Sequence, residues 1–150
     1  MTSLMFATMN GKSSVVEFLV ECKAGINSKG KEGMTPLMLA SAGGYENIVK
    51  FLIKKNAKTN LYSKKKWTAL MYATKYNHIN VVKYLIENGS KVNLKNIKGM
   101  NAYMIAEKYK HEEIKNYLLN KGAKKKLNYF DSLRYKQIHK RMKDIKHFDQ

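Results

Sequence analysis

The chain has 150 residues, 44% of them hydrophobic, with 29 Lys and Arg against 11 Asp and Glu, for a formal net charge of +18. That length suits a single domain and that apolar fraction excludes wholesale disorder. One cysteine, Cys22, excludes an intrachain disulfide and a thiolate zinc site, and no apolar run nears the roughly 18 residues of a membrane span.

Residues 1–9 hold a short apolar patch without a basic leader, so a cleaved export signal is not expected and the chain reads as intracellular and cytoplasmic. From there a box recurs every 33 residues: Thr2-Ser3-Leu4-Met5, Thr35-Pro36-Leu37-Met38, Thr68-Ala69-Leu70-Met71 and Asn101-Ala102-Tyr103-Met104. Two residues after each Met comes alanine, at Ala7, Ala40, Ala73 and Ala106. A second series runs in phase, from Val15-Val16-Glu17-Phe18-Leu19 through the blocks at 48–52 and 81–85 to Ile114-Lys115-Asn116-Tyr117-Leu118.

Each unit predicts two short helices and a returning loop. The Thr35 hydroxyl can cap the free amides of a helix start, and Pro36 at the first helical position loses no needed bond. Leu37 and Ala40 share a face, with alanine small enough for a neighbouring helix to approach. Gly11, Gly44 and Asn77 tolerate the left-handed turn between helices, and Ile48, Val49 and Leu52 form the buried stripe of the second helix, which stops near Asn56, Gly89 or Gly122. No unit buries its apolar face alone; stacking four gives a continuous core, the logic of a solenoid.

The 33-residue period, the Thr-Pro-Leu-x-x-Ala box and the linker Gly89-Ser90-Lys91-Val92-Asn93 resemble the ankyrin repeat family over about residues 1–123, in units of about 1–33, 34–66, 67–99 and 100–123. The resemblance implies an all-α solenoid of stacked helix-turn-helix units with protruding β-hairpin loops, in an array that generally binds other proteins. Three departures stand out. The family's usual His of the box is Met in every unit, which removes a polar contact between neighbours. Lys66 replaces the turn glycine before the third box and Lys110 the interhelix glycine of the fourth, each a left-handed lysine costing on the order of 1 kcal/mol. Met1 aligns with Met34, so the first unit lacks a preceding hairpin; a natural short array and a piece of a longer one both fit.

Residues 124–150 leave the repeat and carry nine basic against three acidic residues, starting at Lys124-Lys125-Lys126. Tyr135, Ile138, Met142, Ile145 and Phe148 fall on one side of a helical wheel, with Lys136, Lys140, Lys143 and His147 opposite and Asp131 or Ser132 as the cap. The expected amphipathic helix either shields the open end of the fourth unit or docks on a polyanion, anionic lipid or a helix-binding partner.

Catalytic groups do not converge. His78 and His111 occupy one repeat slot at the start of a second helix, which points to a structural role. His139 and His147 lie two turns apart without a carboxylate to complete a metal site, and Cys22 has no partner to activate it. Glu112-Glu113 suits a helix start, and no phosphate-cradling loop is present. The reading is therefore non-enzymatic, with no cofactor and a monomer as the expected state. Arginine is scarce: Arg134 and Arg141 are the only two, and 27 lysines do not supply the forked contacts of a sequence-specific nucleic-acid reader.

The family resemblance implies binding along the hairpin tips and exposed first helices. On this chain those positions include Met9, Asn10, Lys31, Glu32 and Met34, then Ala42 and Gly43, in the first half, and an aromatic and lysine cluster in the second. The candidate partner-binding residues are Tyr62, Lys64, Lys65, Trp67, Lys75, Tyr76, Lys98, Met100, Lys108 and Tyr109. Trp and Tyr bury large area at low entropic cost, and lysines steer an acidic partner. The expected ligand is a protein or peptide with acidic residues beside an apolar anchor, centred on Trp67 and Tyr76. The alternative is a polyanion or acidic surface, nucleic acid or anionic membrane, held by the basic tail.

Overall fold

In the computed structural model, which describes residues 1–125 and 129–146, helices are joined by turns and no strand occurs among the described residues. Four helix pairs follow one another: α1 (Ser3–Met9) with α2 (Ser13–Glu21), α3 (Pro36–Gly43) with α4 (Glu46–Lys54), α5 (Ala69–Lys75) with α6 (Ile79–Glu87), and α7 (Ala102–Lys108) with α8 (Glu112–Asn120). The first helices stack as one layer, α1 on α3 on α5 on α7, and the second helices as another, α2 on α4 on α6 on α8. An eighteen-residue helix, α9 (Tyr129–Lys146), follows.

The box works as its chemistry dictates. The hydroxyls of Thr2, Thr35 and Thr68 accept from the backbone N–H of Met5, Met38 and Met71 at 3.1, 3.3 and 3.3 Å, and Asn101 Oδ1 does the same for Met104 at 3.0 Å. Between the paired helices Gly11, Gly44, Asn77 and Lys110 all adopt positive φ, from 60° to 71°. Lys66 is left-handed as well, at φ 57°. The core is continuous: Ile48, Val49, Leu52, Val81, Val82, Leu85, Ile114 and Leu118 are all at most 1% exposed. Met5, Met38 and Met71 are as deeply buried, so the thioether that stands where a polar side chain was expected serves as core.

Neighbouring units are tied by three ladders at the 33-residue spacing. Asn27, Asn60 and Asn93 accept through Oδ1 from the N–H of Lys58, Lys91 and Lys124 at 2.8–2.9 Å, and the amides of Asn60 and Asn93 donate to the carbonyls of Gly89 and Gly122 at 3.0 Å. The loops fold back through bonds from Gly30, Ser63 and Asn96 N–H to the carbonyls of Met34, Trp67 and Met100. Adjacent loops then meet at Lys64 N–H to Glu32 O (2.9 Å) and Ile97 N–H to Lys65 O (3.1 Å), without a strand ladder. Finally, His78 Nε2 lies 3.0 Å from Ala42 O and His111 Nε2 2.9 Å from Lys75 O; a carbonyl only accepts, so Nε2 carries the proton in both. Tyr45 fills the same slot one unit earlier, its hydroxyl donating to Met9 O at 3.3 Å.

The tail helix differs from expectation at its start. Asp131 and Ser132 lie inside the helix, not before it, because the helix already includes Tyr129. Ile138 and Met142 are half-buried while Leu133 and Ile145 are 42% and 57% exposed. Arg134 and Ile138 border a cavity of about 180 Å³ with Lys66, Lys95, Ile97 and Gly99, on the loop side of the array. The Tyr135 side chain, His147 and Phe148 lie outside the described residues, as does Lys126.

Candidate partner-binding groove

Because the four units share one register, a position the fold requires repeats its chemistry, and a position where the units diverge is free to serve something else. At the end of the first helices the series runs Met9, Ala42, Lys75, Lys108 and then Asn10, Gly43, Tyr76, Tyr109. In the loops it runs Glu32, Lys65, Lys98 and Met34, Trp67, Met100. Lysine and aromatic rings thus accumulate where α5, α7 and the two loops that precede them approach one another.

There the structure forms a cavity of about 380 Å³. Its apolar lining comes from Met34, Trp67, Tyr72, Met100, Ile105 and Tyr109, and its charged lining from Lys65, Lys75, Lys98, Lys108 and one carboxylate, Glu32. Trp67 and Tyr72 rings lean together at 5.2 Å and 37°. Tyr72 is held from behind: its hydroxyl and the backbone N–H of Trp67 both donate to Ser63 Oγ, at 3.2 and 3.1 Å. The Lys75 ammonium sits 5.6 Å from the Trp67 ring centre, 5.1 Å from that of Tyr76 and 5.8 Å from that of Tyr109, a cation held among three rings. Lys108 Nζ is 5.7 Å from the Tyr109 ring, which itself stacks on His111 at 6.3 Å. Among the described residues none of the four lysines forms an ion pair.

Asn96 adds a donor. Its Oδ1 accepts from Lys98 N–H at 2.9 Å and Met100 N–H at 3.1 Å, which fixes the amide orientation, and its Nδ2 is left buried without a protein partner. The corresponding positions, Gly30 and Ser63, carry no such group.

Seven of the ten residues singled out from sequence line this cavity: Lys65, Trp67, Lys75, Lys98, Met100, Lys108 and Tyr109. Tyr76 stays outside it, 50% exposed, touching the Lys75 ammonium. Tyr62 and Lys64 are also outside: the Tyr62 carbonyl accepts from Lys29 Nζ at 2.8 Å, and Lys64 uses its backbone to bond the preceding loop. Sequence reasoning missed Tyr72, Ser63, Asn96 and Ile105. Tyr72 shares a slot with Phe6, Leu39 and Ile105, so its apolar company reads as core; the signal was that its hydroxyl is the one polar group in that series.

A family model described as ankyrin repeats (3 copies) matches residues 4–96 and 58–129. The chain belongs to the ankyrin repeat family. Ankyrin repeats are generally protein–protein interaction modules, and the family is generally non-catalytic. No curated protein matches the chain in sequence. Among the described residues no three His, Cys, Asp or Glu side chains group as a metal site, and no helix is long and apolar enough to cross a membrane. Cys22 is exposed at the end of α2.

Proposed function

We propose that this ankyrin array is a non-catalytic interaction module whose partner is a protein or peptide presenting acidic residues beside an apolar anchor. The anchor enters between Trp67, Tyr72 and Met100, and the carboxylates meet Lys65, Lys75, Lys98 and Lys108. The observation that carries this reading is the departure from repeat chemistry: four lysines without ion pairs gather with three aromatic rings around one cavity, and the slots of Lys75, Lys108 and Tyr109 hold Met, Ala, Asn or Gly in units one and two. Rigid aromatic surface supplies the affinity and the ammonium groups supply the encounter rate and the sign of the partner. Tyr62, Lys64 and Tyr76 extend the same contact strip outside the cavity.

Trp67 is the only tryptophan, so its fluorescence reports the groove directly. A bound acidic peptide with a Leu or Phe anchor shifts that emission, survives a rise from about 0.05 to about 0.2 M salt, and loses at least about 30-fold in affinity on Trp67→Ala, the scale of a hot spot, read by calorimetry because that variant has no tryptophan. Binding that any polyanion competes away, and that ignores Trp67→Ala, would refute the groove. That outcome would favour the second reading, a polyanion or anionic-membrane contact through the tail, which rests on Arg134, Lys136, Lys140, Arg141 and Lys143 all being exposed on α9.

A further inference from the structure

Three cations meet on the loop side of the array, at its seam with the tail helix. Lys66 comes from the loop before the third box, Lys95 from the loop before the fourth and Arg134 from α9, and all three border the cavity of about 180 Å³. No described carboxylate borders it, and among the described residues neither Lys66 nor Arg134 forms an ion pair. The apolar part of the lining is Ile97 and Ile138, and Gly99 adds no side chain. Asn96, 4% exposed, borders this cavity as well as the groove, and its Nδ2 is buried without a protein partner.

Two of these residues break the chain's own habits. The slot of Lys66 holds Gly33 before the second box and Gly99 before the fourth, at φ 71° and 74°. Glycine takes that backbone at no steric cost, whereas Lys66 holds φ 57° against the left-handed penalty. What lysine adds over glycine there is an ammonium beside the cavity, and strain of this kind persists where a side chain serves a site. Arg134 is one of only two arginines in the chain, and a guanidinium offers a phosphate two parallel bonds where an ammonium offers a point charge.

We infer that this seam is a phosphate site, in which one compact phosphate group held by Lys66, Lys95 and Arg134 draws α9 onto the array. Size selects the ligand: the cavity falls below the roughly 300–1,000 Å³ of pockets for drug-sized molecules, which suits a phosphate or diphosphate and not a peptide. Charge selects it further. Three cations around one small volume repel one another, and a single carboxylate leaves most of that charge standing. A phosphate monoester brings about −1.5 to −2 at pH 7 and three acceptor oxygens, and the Asn96 amide is a further donor. Without the anion the tail is thinly held, since Ile138 is only half-buried and Leu133 and Ile145 are 42% and 57% exposed. Cation repulsion then opposes docking, and a bound phosphate reverses its sign. The site needs Lys66 of the array, which separates it from a polyanion contact made by the tail alone, and it does not depend on the groove having a peptide ligand.

The test is calorimetric titration of the full chain with inorganic phosphate and pyrophosphate at constant ionic strength, with hydrogen exchange of α9 followed alongside. The expected result is one saturable site per chain with Kd below about 1 mM, and slower exchange across residues 129–146 when it is filled. Lys66→Gly removes the ammonium while relaxing the backbone, so this variant keeps its fold, and it weakens pyrophosphate at least about tenfold, as does Arg134→Gln. Lys75→Ala in the groove and Lys140→Gln elsewhere on α9 change the affinity by less than about threefold, the scale of screened charge at a distance. Vesicles containing phosphatidic acid identify the source of the group. Capture that pyrophosphate competes away and Lys66→Gly abolishes assigns it to a lipid headgroup; soluble binding without capture assigns it to a free phosphate compound. Absence of saturable binding below about 1 mM, an effect that chloride of the same ionic strength reproduces, or full affinity in Lys66→Gly would each overturn the inference. Equal losses from Arg134→Gln and Lys140→Gln would overturn it too, leaving diffuse tail charge as the cause.

Discussion

Gly44 is the position at which a single methyl group tests how one unit rests on the next. Its φ of 71° lies in the left-handed region, and a Cβ built there meets the imidazole of His78 from the following unit. The backbone conformation alone costs a non-glycine residue about 1–2 kcal/mol, and alanine's smaller unfolded-state entropy returns about 0.4–1 kcal/mol. Displacing the ring adds about 1–3 kcal/mol of overpacking. It also weakens the His78 Nε2 bond to Ala42 O at 3.0 Å, for about 0.5–1.5 kcal/mol. The sum for Gly44→Ala is a loss of about 1.5–6 kcal/mol, read as a drop of about 1–3 M in the urea midpoint at unchanged slope. The double variant with His78→Ala separates the causes: without the ring only the backbone part remains, so the two substitutions couple by about 1.5–4.5 kcal/mol. Simple additivity, or a Gly44→Ala protein within about 0.5 kcal/mol of the parent, would refute the steric account. Lys110 occupies the same slot in the fourth unit at φ 60°, and Lys110→Gly stabilises by about 0.5–1 kcal/mol in the same assay.

Further outcomes follow from the ladders and the groove. Asn60→Ala removes two bonds between units, from Lys91 N–H and to Gly89 O, and lowers stability by about 1–3 kcal/mol in urea unfolding. Tyr117 has its phenol pushed above the ordinary 10.0 by burial, with Glu87 adding to it. The folded state therefore holds that proton more tightly than the unfolded chain, and the parent and Tyr117→Phe keep a constant stability difference below about pH 10. Above that the parent loses stability that Tyr117→Phe retains, which thermal melts across pH 9–11 will show. Lys75→Ala slows association of an acidic peptide by about 3–10-fold at low salt and changes dissociation less, as stopped-flow traces of Trp67 emission would reveal.

What the sequence made legible was whatever repeats. Thr2, Thr35 and Thr68 as caps, the left-handed positions including Lys66 and Lys110, the stripe of Ile48, Val49 and Leu52, and the structural use of His78 and His111 all follow from local chemistry multiplied by the 33-residue period. The groove was legible only in part. Lys75 and Tyr109 stand out because they break the series, but they are 34 residues apart, and no periodicity says that one ammonium will sit among Trp67, Tyr76 and Tyr109. Tyr72 and Asn96 were hidden for opposite reasons: one keeps apolar company in its slot, and the other lies in a loop where Asn reads as turn chemistry. Tyr76 shows the limit of counting along a helix: like Tyr109 it lies one residue beyond its first helix, yet only Tyr109 lines the cavity. The start of α9 was misread because Asp131 and Ser132 are good caps by type, yet both lie within the helix, which already includes Tyr129.

The groove draws on three successive loops, through Met34, Trp67 and Met100, and on two first helices. A ligand seated there is a strap across seams that are otherwise closed only by pairwise stacking, so its grip and the cohesion of the array are one thermodynamic quantity seen from two sides. Loosening any seam, however remote from the aromatic rings, shows up as weaker capture, and capture in turn suppresses the slipping apart of units that never touch the ligand.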